Sequence, residues 1–230
     1  FNPLTEKSYN RGLKPYRFKG VEEFCDDVGW YTMVNMKDVW SIDMVGRTSA
    51  ERTGYATQKP EKLMERIIAS CTDEGDLCAD FFAGSGTLGA VCAKMGRRWM
   101  MCDEGELSVS GQIHRLGKLG SSFKVERAAC DVEGALGYSV SGGLINLISY
   151  GAGMPDGLGA YEEELRRYMN EDSLCMVKCW SAGRLGEDGV HRADGVFCDS
   201  WGINEVDGFS EDISIIGYDV FGRRVSGMPE

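Results

Sequence analysis

Behind Pro60 the chain takes on a helical rhythm. Leu63, Met64, Ile67 and Ile68 recur three and four apart, while Glu61, Lys62, Glu65 and Arg66 fill the turns between them. Pro60 suits the first turn of such a helix, where its missing N–H removes no bond, and "TDEGD" (72–76) ends it. Apolar runs over 76–82 and 98–102 read as strands, flanking a helix over about 86–95 that stops at Gly96. That β-α-β order implies a parallel pair with a right-handed crossover. Further on, the spacing predicts a helix over 107–119, a strand over 122–131 and a buried strand within 142–154. A helix over 160–169 and a buried strand over 173–180 follow. The alternation predicts an α/β fold built on a doubly wound, Rossmann-like sheet. After 181 comes an irregular, β-rich, glycine- and acid-rich tail, with "DISIIGYDVFGRRV" as strand-like pieces. Ahead of it all, "WYTMVNMKDVWSIDM" (30–44) reads as a short strand and a docking loop.

Composition changes this picture little. The 230 residues are 43% hydrophobic and 27% charged, as expected of a folded globular chain. There is no apolar run of membrane-spanning length, and the polar start lacks the apolar core of a secretory leader, so a cytoplasmic protein is expected. The nine cysteines are scattered without a C-x-x-C pair, and there are two histidines, His114 and His191. They read as packed free thiols in a reducing compartment, with no metal site. Cys175 and Cys179, four apart, would share one face of a strand. Trp180, Trp201 and Tyr218 read as packing residues.

The charge matters more. A net charge of −11 argues against this chain alone gripping nucleic acid. A local exception is Lys7, Arg11, Lys14, Arg17 and Lys19, followed by the acidic "VEEFCDDVG"; a solvated surface is the expectation there.

"ADFFAGSGTLGAVCAKMGRRWMMCDEG" (79–105) carries the candidate chemistry. Gly84 and Gly86 sit where the first strand turns into a helix, at the carboxyl end of the sheet where such folds bind ligands. Asp103 closes the next strand about 20 residues on, the separation of a carboxylate that accepts from ribose hydroxyls. Asp131 ends the strand after that and could face an adenine amino group. An adenosine-bearing cofactor is implied. With Gly89 completing a G-x-G-x-x-G, the spacing admits either NAD or S-adenosylmethionine, while a Walker loop is excluded because no G-K-[ST] follows.

"RTGYATQKPEKLMERII" followed by "GDLCADFFAGSGTLGAVCAKMGRRWMMCDE" resembles the adjoining cofactor motifs of DNA amino-methyltransferases, the enzymes that make N6-methyladenine or N4-methylcytosine, many within restriction–modification systems. The order of motifs is that of the β class, and the resemblance runs from about Trp40 to Asp103. It implies S-adenosylmethionine as cofactor. Asp80, Phe82, Gly84, Ser85, Gly86 and Thr87 would form the loop around its methionine part. Thr57, Gln58 and Lys59 would lie near its carboxylate, Asp103 at the ribose and Asp131 at the adenine. Phe81 and Ala56 stand where the family usually has prolines. An NAD-dependent oxidoreductase would leave the T-Q-K-P stretch without an explanation.

The family's [DNS]-P-P-[YFW] tetrapeptide, which orients the exocyclic amine and stacks on the flipped base, is absent: no two of the five prolines are adjacent. The resemblance therefore implies the cofactor-binding part of a longer enzyme, and a start at Phe1 rather than methionine fits that. Ser149 and Tyr150 stand where a catalytic loop would fall if the sheet continued straight through. DNA would be held through a recognition region outside this chain, with a restriction or specificity subunit as a further partner. The alternative is a catalytically inactive methyltransferase-like module. The expected division is 1–45 as the end of a recognition region, 46–180 as the cofactor-binding domain and 181–230 as an extension.

Overall fold

The computed structural model describes residues 1–126, 132–188, 191–199, 203–205 and 213–230. Near the start, β1 (Thr5–Tyr9), β2 (Phe24–Cys25) and β3 (Trp30–Asn35) pair antiparallel in the order β1-β3-β2. Helix α1 (Glu61–Cys71) begins directly behind Pro60. Its Ile68 is buried at 4% exposure, whereas Ile67 is 37% exposed. One residue is a turn of about 100°, so the helix seats one of the two adjacent isoleucines and leaves the other out.

β4 (Leu77–Asp80), α2 (Thr87–Lys94) and β5 (Arg98–Met101) form the expected unit, with β4 and β5 parallel and Leu77 opposite Arg98. One face of the pair packs on the helices: Cys78, Trp99 and Met101 join Ile68, Leu88, Val91 and Cys92. Strand geometry sends alternate residues to the other face. There Leu77 is 57% exposed and Met100 48%, and beyond the strand Phe81 and Phe82 are also exposed. Parallel strands are ordinarily covered on both faces, so this pair is a half-covered sheet.

Helix α3 (Glu106–Lys118) leads away from β5. The remaining strands are β6 (Val132–Ser141), β7 (Leu144–Tyr150), β8 (Val177–Leu185), β9 (His191–Cys198), β10 (Ile203–Glu205), β11 (Ser214–Asp219) and β12 (Arg224–Pro229). They build a mixed sheet in the order β10-β7-β6-β12-β11-β8-β9. Helix α4 (Glu162–Glu171) lays Leu165 and Met169 against its core, which centres on Leu136, Ile145, Trp180, Ile215 and Val225. Trp180 and Tyr218 are packed as expected; Trp201 lies outside the described residues.

The α/β character and a mixed sheet are present, but the strands do not run through one doubly wound sheet. Among the described residues β6 and β12 are the parallel pair of the large sheet, and its other neighbours are antiparallel. The local cause is the Gly142–Gly143 turn. Both glycines have positive φ, 60° and 85°, the two-residue geometry that closes a hairpin, so β6 returns as β7 with no helical crossover. Residues 122–126 carry no strand, and 127–131, including Asp131, lie outside the described residues. The boundary expected at 180 falls within β8. Cys175 lies in a 3-10 turn (Ser173–Met176), not on the strand with Cys179, so the two share no face; Cys179 instead stands opposite Cys198. Among the described residues no helix is long and apolar enough to cross a membrane, and no group of three or more His, Cys, Asp or Glu is placed to hold a metal.

Candidate functional site

The strand β4 ends at Asp80, whose Oδ1 accepts from the Phe82 amide at 3.0 Å and turns the chain out of the sheet. The loop Ala83–Gly86 then passes over the end of β5, where Ala83 N–H donates to Cys102 C=O at 3.1 Å. Gly84 and Gly86 take left-handed conformations, φ 49° and 71°. Both are also closely approached: a Cβ on Gly84 would stand 2.9 Å from the Tyr55 ring, and one on Gly86 2.8 Å from Gln112 Cγ. Gly86→Ala should lower stability by about 1–3 kcal/mol, because the left-handed residue is strained and Gln112 must move. A urea midpoint compared with wild type checks it.

Asp103 stands at the centre of this turn. Its Oδ2 accepts from the Gly84 amide at 2.8 Å and its Oδ1 from the Gly105 amide at 2.9 Å. Burial opposes its ionisation, but the Gly105 and Gly84 amides and Ser108 overcome this and hold the carboxyl below the usual range. A carboxylate has about four acceptor sites, so the two backbone bonds and Ser108 leave room for a hydroxyl donor from a ligand. The half-buried carboxylate beside a glycine cradle thus fits the ribose of an adenosine cofactor.

The T-Q-K-P stretch is brought to the same place. Thr87 Oγ donates to Lys59 C=O at 3.1 Å, and Ser85 Oγ lies 3.1 Å from Thr87 Oγ. A groove of about 560 Å³ runs between residues 38–44 and 56–63, with Trp40, Asp43, Thr57, Gln58 and Lys59 in its wall. Gln58 is committed locally: its Oε1 accepts from Thr53, and its Nε2 donates to Glu51 C=O. The expected anion position at the start of α1 carries one of the chain's own carboxylates, since Glu51 Oε2 accepts from the Glu61 amide at 2.9 Å.

Helix α3 locks the loop from behind, and sequence reasoning missed it. Ser108 Oγ donates to Gly84 C=O at 2.6 Å, and Gln112 Nε2 donates to the same carbonyl at 3.2 Å. Arg115 is 8% exposed. Its guanidinium donates to Ser85 C=O at 3.1 Å, to Thr87 Oγ at 3.2 Å and to Glu61 Oε1 at 2.7 Å. Lys94 also pairs with Glu61. The signal was the spacing: Ser108, Gln112 and Arg115 are four and three apart, a polar stripe on one helix face.

Burial opposes the Glu61 charge, and Lys94 and Arg115 overcome it, so its carboxyl also sits below the usual carboxylate range. Both depressed carboxyls add stability that is complete above their unfolded values and lost as pH falls through the folded ones. The urea midpoint should therefore gain nothing from these two groups between about pH 7 and 5 and should drop below about pH 4.

Ser149 and Tyr150 end strand β7 but do not join this site. Ser149 Oγ donates to Glu230 Oε1 at 2.6 Å. Tyr150 is buried, donating to Asp219 Oδ2 at 2.7 Å and accepting from Arg223 at 2.8 Å. Its burial first, then the Asp219 charge, push the hydroxyl pKa up, and its ring offers no free face to a base.

Residues 16–111 match the sequence profile of a family described as DNA methylase. The matched stretch is similar to DNA methylases. It contains the glycine loop, Asp103 and the T-Q-K-P groove. The type II methyltransferase M2.DpnII of Streptococcus pneumoniae is 46% identical over 68 residues, 30% of this chain and 25% of that protein. M2.LlaDCHI of Lactococcus lactis subsp. cremoris is 36% identical over 99 residues, 43% of this chain and 35% of that protein. The DNA adenine methyltransferase YhdJ of Escherichia coli (strain K12) is 34% identical over 92 residues, 40% and 31% of the two chains. The chain thus spans between 25% and 35% of the length of these relatives. A crystal structure of an M1.HpyAVI–SAM complex matches 38% of this chain and 48% of that one at 26% identity, with a TM-score of 0.30. At that TM-score the superposition is too loose to assign a fold.

Proposed function

We propose that this chain supplies the S-adenosylmethionine-binding part of a DNA amino-methyltransferase acting on N6 of adenine or N4 of cytosine. One observation carries the reading: the glycine loop, Asp103 and the T-Q-K-P stretch converge through the Gly84–Asp103 and Thr87–Lys59 bonds, all within the stretch that matches the DNA methylase profile. Bound S-adenosylmethionine would supply an electrophilic methyl group. The chain's own part is to hold it: Asp103 at the ribose, Gly84–Thr87 around the methionine part, and the groove at Thr57–Lys59 near the carboxylate. Asp131 is the proposed partner of the adenine.

The residues that orient the target amine are proposed to lie outside this chain, together with most of the DNA recognition region. The bare face of β4 and β5, with Leu77, Met100, Phe81 and Phe82, is where helices of the rest of a Rossmann-like domain would pack. The protein would act in the cytoplasm beside a restriction or specificity subunit. Three parts are proposed: residues 1–45 as the end of the recognition region, the cofactor domain from 46, and the C-terminal extension.

Asp103→Ala should weaken S-adenosylmethionine binding by about 10- to 100-fold, since a hydrogen bond to a charged group contributes about 1.5–3 kcal/mol. Isothermal titration on a sample shown to be folded reads it, and unchanged affinity would move the ribose contact elsewhere. The second reading, an inactive binding module, is favoured by the lack of adjacent prolines and by the locked Tyr150. It predicts cofactor uptake but no methyl transfer to duplex DNA even when a D-P-P-[YFW]-bearing part is supplied.

A further inference from the structure

We propose that the clamped loop 10–23, apart from the cofactor site, carries a DNA phosphate-binding surface. This rests on the DNA methyltransferase reading for the identity of its partner. Between Lys7 and Lys19 the sequence holds five basic residues and no acid, in a chain whose net charge is −11. Lys7 is spoken for, paired with Asp26 at 2.6 Å. Arg11, Lys14, Arg17 and Lys19 are all exposed and, among the described residues, make no ion pair. Arg17 feels the Glu23 charge, and Glu22 and Asp27 are the nearby exposed acids.

The loop that carries these cations is held in shape. Asn10, 4% exposed, donates to Lys14 C=O at 3.0 Å and to Glu23 Oε1 at 2.6 Å. The Glu23 carboxylate also accepts from the Tyr16 and Arg17 amides at 2.9 and 2.7 Å. Arg11 N–H donates to the Tyr16 hydroxyl. Leu13 and Arg17 are held at φ 57° and 59°, conformations that non-glycine residues adopt rarely. Glu23 thus spends its hydrogen-bonding capacity inside the loop, on the Tyr16 and Arg17 amides and Asn10, rather than in an ion pair with the outer cations. Beside them Tyr16 and Phe18, 43% and 63% exposed, lie tilted at 50° to one another with centroids 5.3 Å apart, an apolar patch suited to the sugars between phosphates. A pre-shaped cationic loop on an otherwise acidic chain is complementary to a phosphate backbone.

The test uses the whole chain and a short fluorescein-labelled duplex, titrated by anisotropy across a salt series. The R11Q/K14Q/R17Q/K19Q variant is set against K62Q/K124Q/R166Q/R167Q, which removes the same number of exposed cations elsewhere. The loop variant should lose tenfold or more in affinity. Its salt slope should flatten by roughly 0.9 for each phosphate contact removed, while the control variant should bind close to wild type. Equal losses in both variants, an unaffected loop variant, or no duplex binding by wild type would each overturn the inference. Calorimetry with S-adenosylmethionine on the same samples separates the two readings. Cofactor uptake without loop-dependent DNA binding sinks this inference alone, and loop-dependent DNA binding without cofactor uptake sinks the cofactor reading alone.

Discussion

Arg115→Ala should destabilise the protein by about 2–4 kcal/mol and weaken S-adenosylmethionine binding, although Arg115 lies on helix α3 and not in the glycine loop itself. Its guanidinium joins three elements: Ser85 C=O in the loop, Thr87 at the start of α2 and Glu61 at the start of α1. Removing one partner of a buried ion pair leaves an uncompensated charge and typically costs about 3–5 kcal/mol. Lys94 stays beside Glu61 and softens the loss, hence the lower figure. The loop also loses the bond that fixes the Ser85 carbonyl, so cofactor affinity falls as the cradle loosens. Arg115→Lys should recover only part of either effect, because an ammonium cannot span three acceptors with a planar fork. Urea denaturation and calorimetric titration read the two losses separately. A variant with wild-type stability would show that α3 does not brace the loop.

The second large effect lies in the other sheet. Asp219 is fully buried. It accepts from the Phe221 and Arg223 amides at 2.9 and 2.8 Å, from Arg223 Nε at 2.7 Å and from the Tyr150 hydroxyl at 2.7 Å. The carboxylate closes the turn from β11 to β12 and ties it to the end of β7. Asp219→Ala strands the guanidinium and the hydroxyl and should cost about 3–5 kcal/mol. Asp219→Asn keeps an acceptor for the amides and should cost less. At temperatures where the variant remains folded, its S-adenosylmethionine affinity should match wild type, because none of these groups touches the glycine loop. A matched fall in affinity would mean that the two sheets act as one unit in binding.

The contrast between the sheets explains what could be read in advance. The stretch from α1 to α3 was legible because each element announces itself locally. Pro60 opens α1, the apolar run of β4 stops at a glycine turn, Gly96 ends the α2 helix, and Asp103 follows at cofactor spacing. The later sheet depends on pairings between residues up to about ninety positions apart, such as Val132 opposite Val225, and no local period reports them. One of its signals was present and overlooked: Gly142–Gly143 between two apolar runs is a hairpin turn, yet the alternation was read as a parallel strand. In the site, the acceptors were legible from type and spacing. Ser108, Gln112 and Arg115 were not, because a polar stripe on a helix reads as a solvated face until the helix is known to lie against a loop. Ser149 and Tyr150 were placed correctly at a strand end, but only the distant Asp219 and Arg223 reveal what that tyrosine does.

Isothermal titration of S-adenosylmethionine into the folded wild-type chain decides whether this chain holds the cofactor. Saturable binding at one site per chain is expected, lost in large part in Asp103→Ala. A folded chain that gives no binding heat with S-adenosylmethionine, or that instead enhances NADH fluorescence, would contradict it.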